Sequence, residues 1–97
     1  MSVHVAVDIG ASSGRVIVAE YEDNHFEVNE VHRFKNGFHQ VDGHDRWNID
    51  ELFENILIGL AKVKERGVEE CTLGIDTWAV DYVLVKDGEK LGHPIAY

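Results

Sequence analysis

With one cysteine, Cys71, this 97-residue chain can form no intrachain disulfide, a pattern that fits a reducing, cytoplasmic compartment. Cys71 has no histidine in view to activate it and reads as a small buried hydrophobe. Basic residues are scarce: nine Lys and Arg stand against 18 Asp and Glu, a net charge of −9. Nucleic acids and anionic membrane surfaces both select for clustered Lys and Arg, so neither is an expected partner. No apolar run approaches the ~20 residues of a membrane-spanning helix. The opening MSVHVAVD lacks the basic region of a signal peptide. The histidines are scattered; His39 and His44 lie in a polar stretch with no cysteine nearby, a poor basis for a metal pair. What remains is a chain long enough for one small domain with a modest core.

The most informative stretch is Val3 to Tyr21, VHVAVDIGASSGRVIVAEY. Two apolar runs joined by a small-residue turn, Gly10-Ala11-Ser12-Ser13-Gly14, read as a β-hairpin. Its glycines permit backbone angles that other residues avoid. Its small side chains leave successive N–H groups open, the makings of an anion-binding nest. Arg15 adds a planar cationic fork, and Asp8, ending the first run, can face a hydrated metal ion. Together these suit the phosphates of a nucleotide. The plainer reading is an ordinary hairpin whose first strand ends in aspartate. A Walker loop is excluded, because no Gly-Lys-Ser/Thr is present, and so is the glycine spacing of dinucleotide sites.

Along the chain, strands are expected near Val3–Asp8, Arg15–Tyr21 and His25–Phe34, with a bulge near Asn29 where the alternation breaks. Lys35 to Arg46 reads as a polar loop. Asn48 caps a helix with Glu51 placed for a capping box, and Ile49, Leu52, Phe53, Ile56, Leu57, Leu60 and Val63 form its apolar stripe. Trp47 is expected to pack ahead of it. Gly67 ends the helix. A fourth strand, Cys71 to Thr77, follows, then a hairpin with arms Tyr82–Val85 and Glu89–Leu91 around Asp87-Gly88. His93 to Tyr97 follows with no cap, turn or polar tail to close it. The order β-β-β-α-β plus hairpin is an α/β class with a mixed sheet, its fourth strand returning parallel to the first. That is the ribonuclease H-like core shared by actin-like ATPases and sugar kinases. It would bring Asp8 and Asp76 together beside the phosphate turn.

VAVDIGASSGR at 5–15, HRFKNG at 32–37, Trp47 with Asp50, GIDTWAVDYVL at 74–84 and PIAY at 94–97 resemble the FGGY carbohydrate kinases. Within them the similarity is to the branch that acts on L-rhamnulose; the Trp at position 78 stands where the wider family commonly has Gln. Fuculokinases share the downstream Val-Asp and are the nearest neighbours. The resemblance implies ATP-dependent phosphorylation of L-rhamnulose at its 1-hydroxyl, with Mg²⁺. It assigns Gly10, Ala11, Ser12, Ser13, Gly14 and Arg15 to the ATP phosphates and Asp8 to the metal. Asp76, Trp78, Ala79 and Asp81 fall to the sugar, Ala79 standing where glycine is usual. It further implies that these residues are the N-terminal portion of the first of two actin-like domains. The general base and the adenine pocket would then lie elsewhere, so the chain alone is expected to have no turnover. An incomplete domain exposes a sheet edge and an apolar face, and with them a route to self-association. Two other readings use the same residues. A ribonuclease H-like nuclease would employ Asp8, Asp76 and Glu51 or Glu54 around two metals, against which the net charge argues. A non-catalytic interaction module would use only the exposed surfaces.

Overall fold

A computed structural model describes residues 1–96; Tyr97, the last residue of the PIAY motif, lies outside the described residues. The chain runs β1 (Ser2–Ile9), β2 (Ser13–Glu22), β3 (His25–Lys35), β4 (Phe38–Val41), β5 (His44–Trp47), α1 (Ile49–Glu65), β6 (Thr72–Asp76), β7 (Val85–Lys86) and β8 (Glu89–Lys90). The main sheet has the order β3-β2-β1-β6. β1, β2 and β3 form an antiparallel meander, and β6 pairs in parallel with β1 after the crossover through α1. The expected mixed sheet is therefore present.

Three tight turns share one solution. Asp23-Asn24, Asp42-Gly43 and Asp87-Gly88 all have positive φ at both positions, between 51° and 80°. Two successive left-handed residues match the twist of the flanking strands, and Asn, Asp and Gly tolerate that conformation best. The second of these turns overturns the expected loop at 35–46. Phe38–Val41 and His44–Trp47 pair as a hairpin instead. The stretch is polar because both of its strands are short and mostly solvent-facing, with only Trp47 fully buried.

Alternation divides the sheet into two faces. Val5, Val7 and Ile9 of β1 join Val16 and Val18 of β2 beneath α1, and all five are buried. The bulge lies slightly later than expected. Val16 pairs with His32 but Ile17 with Glu30, which leaves Val31 as the extra residue on β3. Val31 turns toward the core, and Phe26 and Val28 are left exposed on the other face. That resolves the broken alternation.

Asn48 caps α1, its side chain accepting from the Glu51 N–H at 3.1 Å. The helix packs on β2 and β3 with Leu52, Ile56, Gly59 and Val63 inward. Gly59 lets it approach closely, since a Cβ there would sit 2.3 Å from Val16 Cγ2. Phe53 and Leu57, expected in the buried stripe, lie on the helix flank and are exposed. They flank the buried line because α1 covers only half of the sheet. Cys71 is likewise exposed, a correction to the buried reading; it precedes β6, where no side chain is buried.

The C-terminal segment pairs with β5 and with Tyr82. The Trp47 N–H donates to the Pro94 carbonyl at 2.9 Å and the Ala96 N–H to Asp45 at 2.8 Å. Ile95 bridges Arg46 and Tyr82. The last hairpin is shorter than expected, with only Val85–Lys86 and Glu89–Lys90 paired. No helix among the described residues is long and apolar enough to cross a membrane.

Candidate functional site

The face of the sheet opposite α1 carries a row of charge. Arg33 pairs with Arg15, Arg15 with Asp8, and Asp8 with Asp76, residue opposite residue across β3, β2, β1 and β6. Neighbouring strands are about 4.8 Å apart, so two cations and two carboxylates stand side by side next to the 10–14 turn. The convergence of Asp8 with Asp76 thus follows from the parallel pairing of β6. Arg33 escaped the sequence reading, because its place depends on the Val31 bulge, which no residue type announces.

Within the row the charges are not equally available. Arg15 Nη1 donates to Asp8 Oδ2 at 2.8 Å, and Nη2 reaches Ser13 Oγ at 3.3 Å. Arg15 was expected to partner a phosphate or a carboxylate; here its first partner is the Asp8 carboxylate, since the two face each other across the β1–β2 pair. Arg33 grips Glu30 with two bonds of 2.8 and 2.9 Å. That hydrogen bond, and the positive charges of Arg33 and Arg15, hold the Glu30 carboxyl below its ordinary value, while Glu30 raises Arg33. Asp76 is exposed and makes no side-chain hydrogen bond among the described residues.

The turn itself is built differently from the expectation. Neither Gly10 nor Gly14 has a positive φ, so the N–H groups do not form a nest of alternating hand. Gly14 is required by space: a Cβ there would lie 2.2 Å from the buried Phe34 ring. The Gly10 N–H donates to the Ser13 carbonyl at 2.9 Å. The N–H groups of Ala11 and Ser12 make no backbone hydrogen bond among the described residues, and both residues are exposed. Two exposed residues with unpaired main-chain N–H groups thus lie beside the charged row, and such donors can bind an anion.

The sugar candidates separate into two places. Asp76 belongs to the charged row. Trp78 and Asp81 belong to an aromatic cluster: Trp78 meets the fully buried Trp47 edge-on at 4.5 Å, and Phe38 meets Trp47 at 5.4 Å. Trp47 therefore packs as expected. Its indole Nε1–H donates to Asp81 Oδ2, which gives Asp81 a structural partner. The other Asp81 oxygen, Oδ1, and Trp78 Nε1 are buried without a partner among the described residues. Thr77, Trp78, Asp81, Tyr82 and Pro94 line a cavity of about 220 Å³. Ala79 is exposed and does not line it. Val80 has φ +66°, which is strained for a β-branched residue.

For Mg²⁺, no group of three or more His, Cys, Asp and Glu gathers among the described residues. A nucleotide-bound Mg²⁺ usually needs only one or two carboxylates besides phosphates and water. Asp76 and the Asp8 oxygen not held by Arg15 are compatible with that smaller demand.

No family model matches the chain. Over its whole length it is 60% identical to a rhamnulokinase of Ligilactobacillus salivarius and 54% identical to one of Lactiplantibacillus plantarum. Over 98% of its length it is 53% identical to a rhamnulokinase of Bacillus subtilis. In each case it spans 20% of the relative. The similarity to rhamnulokinases read from the motifs therefore extends along the entire chain, which spans about a fifth of the length of the curated relatives it matches.

Proposed function

We propose that these residues form the phosphate-side wall of a carbohydrate kinase active site, in an enzyme that transfers the γ-phosphoryl group of ATP to the 1-hydroxyl of L-rhamnulose. The observation that carries the reading is the adjacency of Asp8 and Asp76 beside the turn, in a chain similar throughout to rhamnulokinases. The Ala11 and Ser12 N–H groups and the Ser12 and Ser13 hydroxyls donate to phosphate oxygens. Arg15 balances Asp8, which keeps that carboxylate from repelling the nucleotide. Asp8 and Asp76 would hold Mg²⁺, whose charge offsets that of the β- and γ-phosphates. The sugar stands over Trp78, with Asp76 as the acceptor for its hydroxyls; Asp81, tied to Trp47, steadies the aromatic cluster beneath it, and Ala79 is exposed next to Trp78. In the transfer the sugar O1 bonds to γ-phosphorus as the bridging oxygen leaves with ADP, and the O1 proton passes to a base outside these 97 residues. The fold is that of the first actin-like domain of such kinases, ribonuclease H-like in its β-β-β-α-β core. The setting is the cytoplasm, where ATP is found.

Backbone NMR tests the assignment on the chain as it stands. Titration with MgATP is expected to move the amide signals of residues 10–15, and L-rhamnulose those of 76–82. Shifts confined to the β7–β8 hairpin, or none at millimolar ligand, would refute the assignment. Turnover is a separate matter: the purified chain is expected to form no ADP with L-rhamnulose.

A further inference from the structure

We infer that Asn36 is the positioning residue of the 10–14 turn, holding its carbonyls away from a bound anion; the inference rests on the phosphate reading above. Asn36 follows β3 and reaches the turn from a strand that lies two places away from β1. Its backbone N–H donates to the Ser12 carbonyl at 3.0 Å, and its side-chain Nδ2 donates to the Gly10 carbonyl at 2.9 Å. The Ser13 carbonyl is held by the Gly10 N–H at 2.9 Å. Three of the turn's carbonyls are thereby tied to the scaffold, two of them by Asn36 alone.

The consequence is electrostatic. A peptide unit carries its N–H and C=O on opposite sides, so a carbonyl drawn toward the scaffold directs its N–H outward. Tying the Gly10 carbonyl orients the Ala11 N–H, one of the donors assigned to the phosphate, and tying the Ser12 carbonyl fixes the other end of the same turn. A peptide flip would instead present a partial negative charge to the phosphate. Since residues 10–14 contain no positive φ that would lock a nest, the orientation depends on an outside clamp. Asn36 provides it, with a main-chain donor and a side-chain donor reaching two carbonyls of the same turn.

The test uses this chain, inorganic tripolyphosphate as the probe, and the variants Asn36→Asp and Asn36→Gln. Aspartate keeps the shape and the backbone N–H but removes the side-chain donor; glutamine keeps the donor on a longer arm. Without ligand, Asn36→Asp is expected to broaden or shift the amide signals of residues 10–13 while leaving β1 and α1 signals in place. Tripolyphosphate binding, read from the same signals, is expected to weaken roughly five- to tenfold, about what one hydrogen bond supplies, and to recover in part with Asn36→Gln. Unchanged turn signals in ligand-free Asn36→Asp would overturn the clamp. Altered turn signals with unchanged tripolyphosphate affinity would overturn its positioning role. If wild-type chain shows no response to tripolyphosphate, the phosphate reading itself fails, and with it the role given to Asn36.

Discussion

Leu73 and Ile75 of β6 run beside Val5 and Val7 of β1, paired residue for residue on the same face of one sheet. Val5 and Val7 are 3% and 1% exposed; Leu73 and Ile75 are 49% and 58% exposed. The hydrogen-bonded ladder is common to both strands, and the difference is α1, which lies over β2 and β3 and stops short of β6. A ladder places a residue, whereas burial holds it there, because apolar area removed from water supplies most of the favourable free energy. Among the described residues every buried apolar side chain precedes Glu65, and an open cavity of about 530 Å³ lies between the end of α1 and Cys71. The candidate site straddles this boundary. Asp8 and the turn stand on the packed side, and Asp76 stands on the strand that only the ladder holds.

That contrast can be broken or sharpened by mutation, most strongly in the packed half. Ile56→Ala should lower the unfolding free energy by about 2–5 kcal/mol, as deletion of buried branched side chains does, read from denaturant midpoints. Gly14→Ala drives a methyl into the Phe34 ring and should cost about 1–3 kcal/mol; an unchanged midpoint would mean that the ring moves aside freely. Loss of the helix cap in Asn48→Ala should cost about 1 kcal/mol. On the open side Ile75→Ala should stay within about 0.5 kcal/mol, the range of surface substitutions, and a cost like that of Ile56→Ala would show that β6 is packed after all. The smallest effect concerns pH. Arg33 holds Glu30 below its ordinary value of 4.5. Its contribution is therefore present above that value and disappears as pH falls through the depressed one. Unfolding midpoints of Glu30→Gln should converge on those of the parent chain on acidification, and parallel curves would deny the pairing any role.

Local signals were legible where one residue type answers one physical need. Asn48 announced the helix start, Asp87-Gly88 a tight turn, and the two apolar runs around residues 10–14 a hairpin. The hairpin at 38–47 was hidden, because two four-residue strands with mostly exposed side chains look like a loop until paired. Exposure of Phe53, Leu57 and Cys71 was hidden for another reason: periodicity shows which side of an element is apolar, not whether anything covers it. Within the site, Asp8 and Asp76 were foreseeable from strand ends and a parallel return. The Asp8–Arg15 pair, the Asp81 tie to Trp47 and the place of Arg33 required the register itself.

The most direct test replaces the matching fifth of Bacillus subtilis rhamnulokinase with this chain, 53% identical to it, and measures ADP formation on addition of L-rhamnulose. The account predicts turnover within about tenfold of the parent enzyme, and a fall of at least about a hundredfold on adding Asp8→Asn, the scale of losing one charge-stabilising group. A folded chimera that ignores L-rhamnulose, or one that Asp8→Asn leaves untouched, would contradict it.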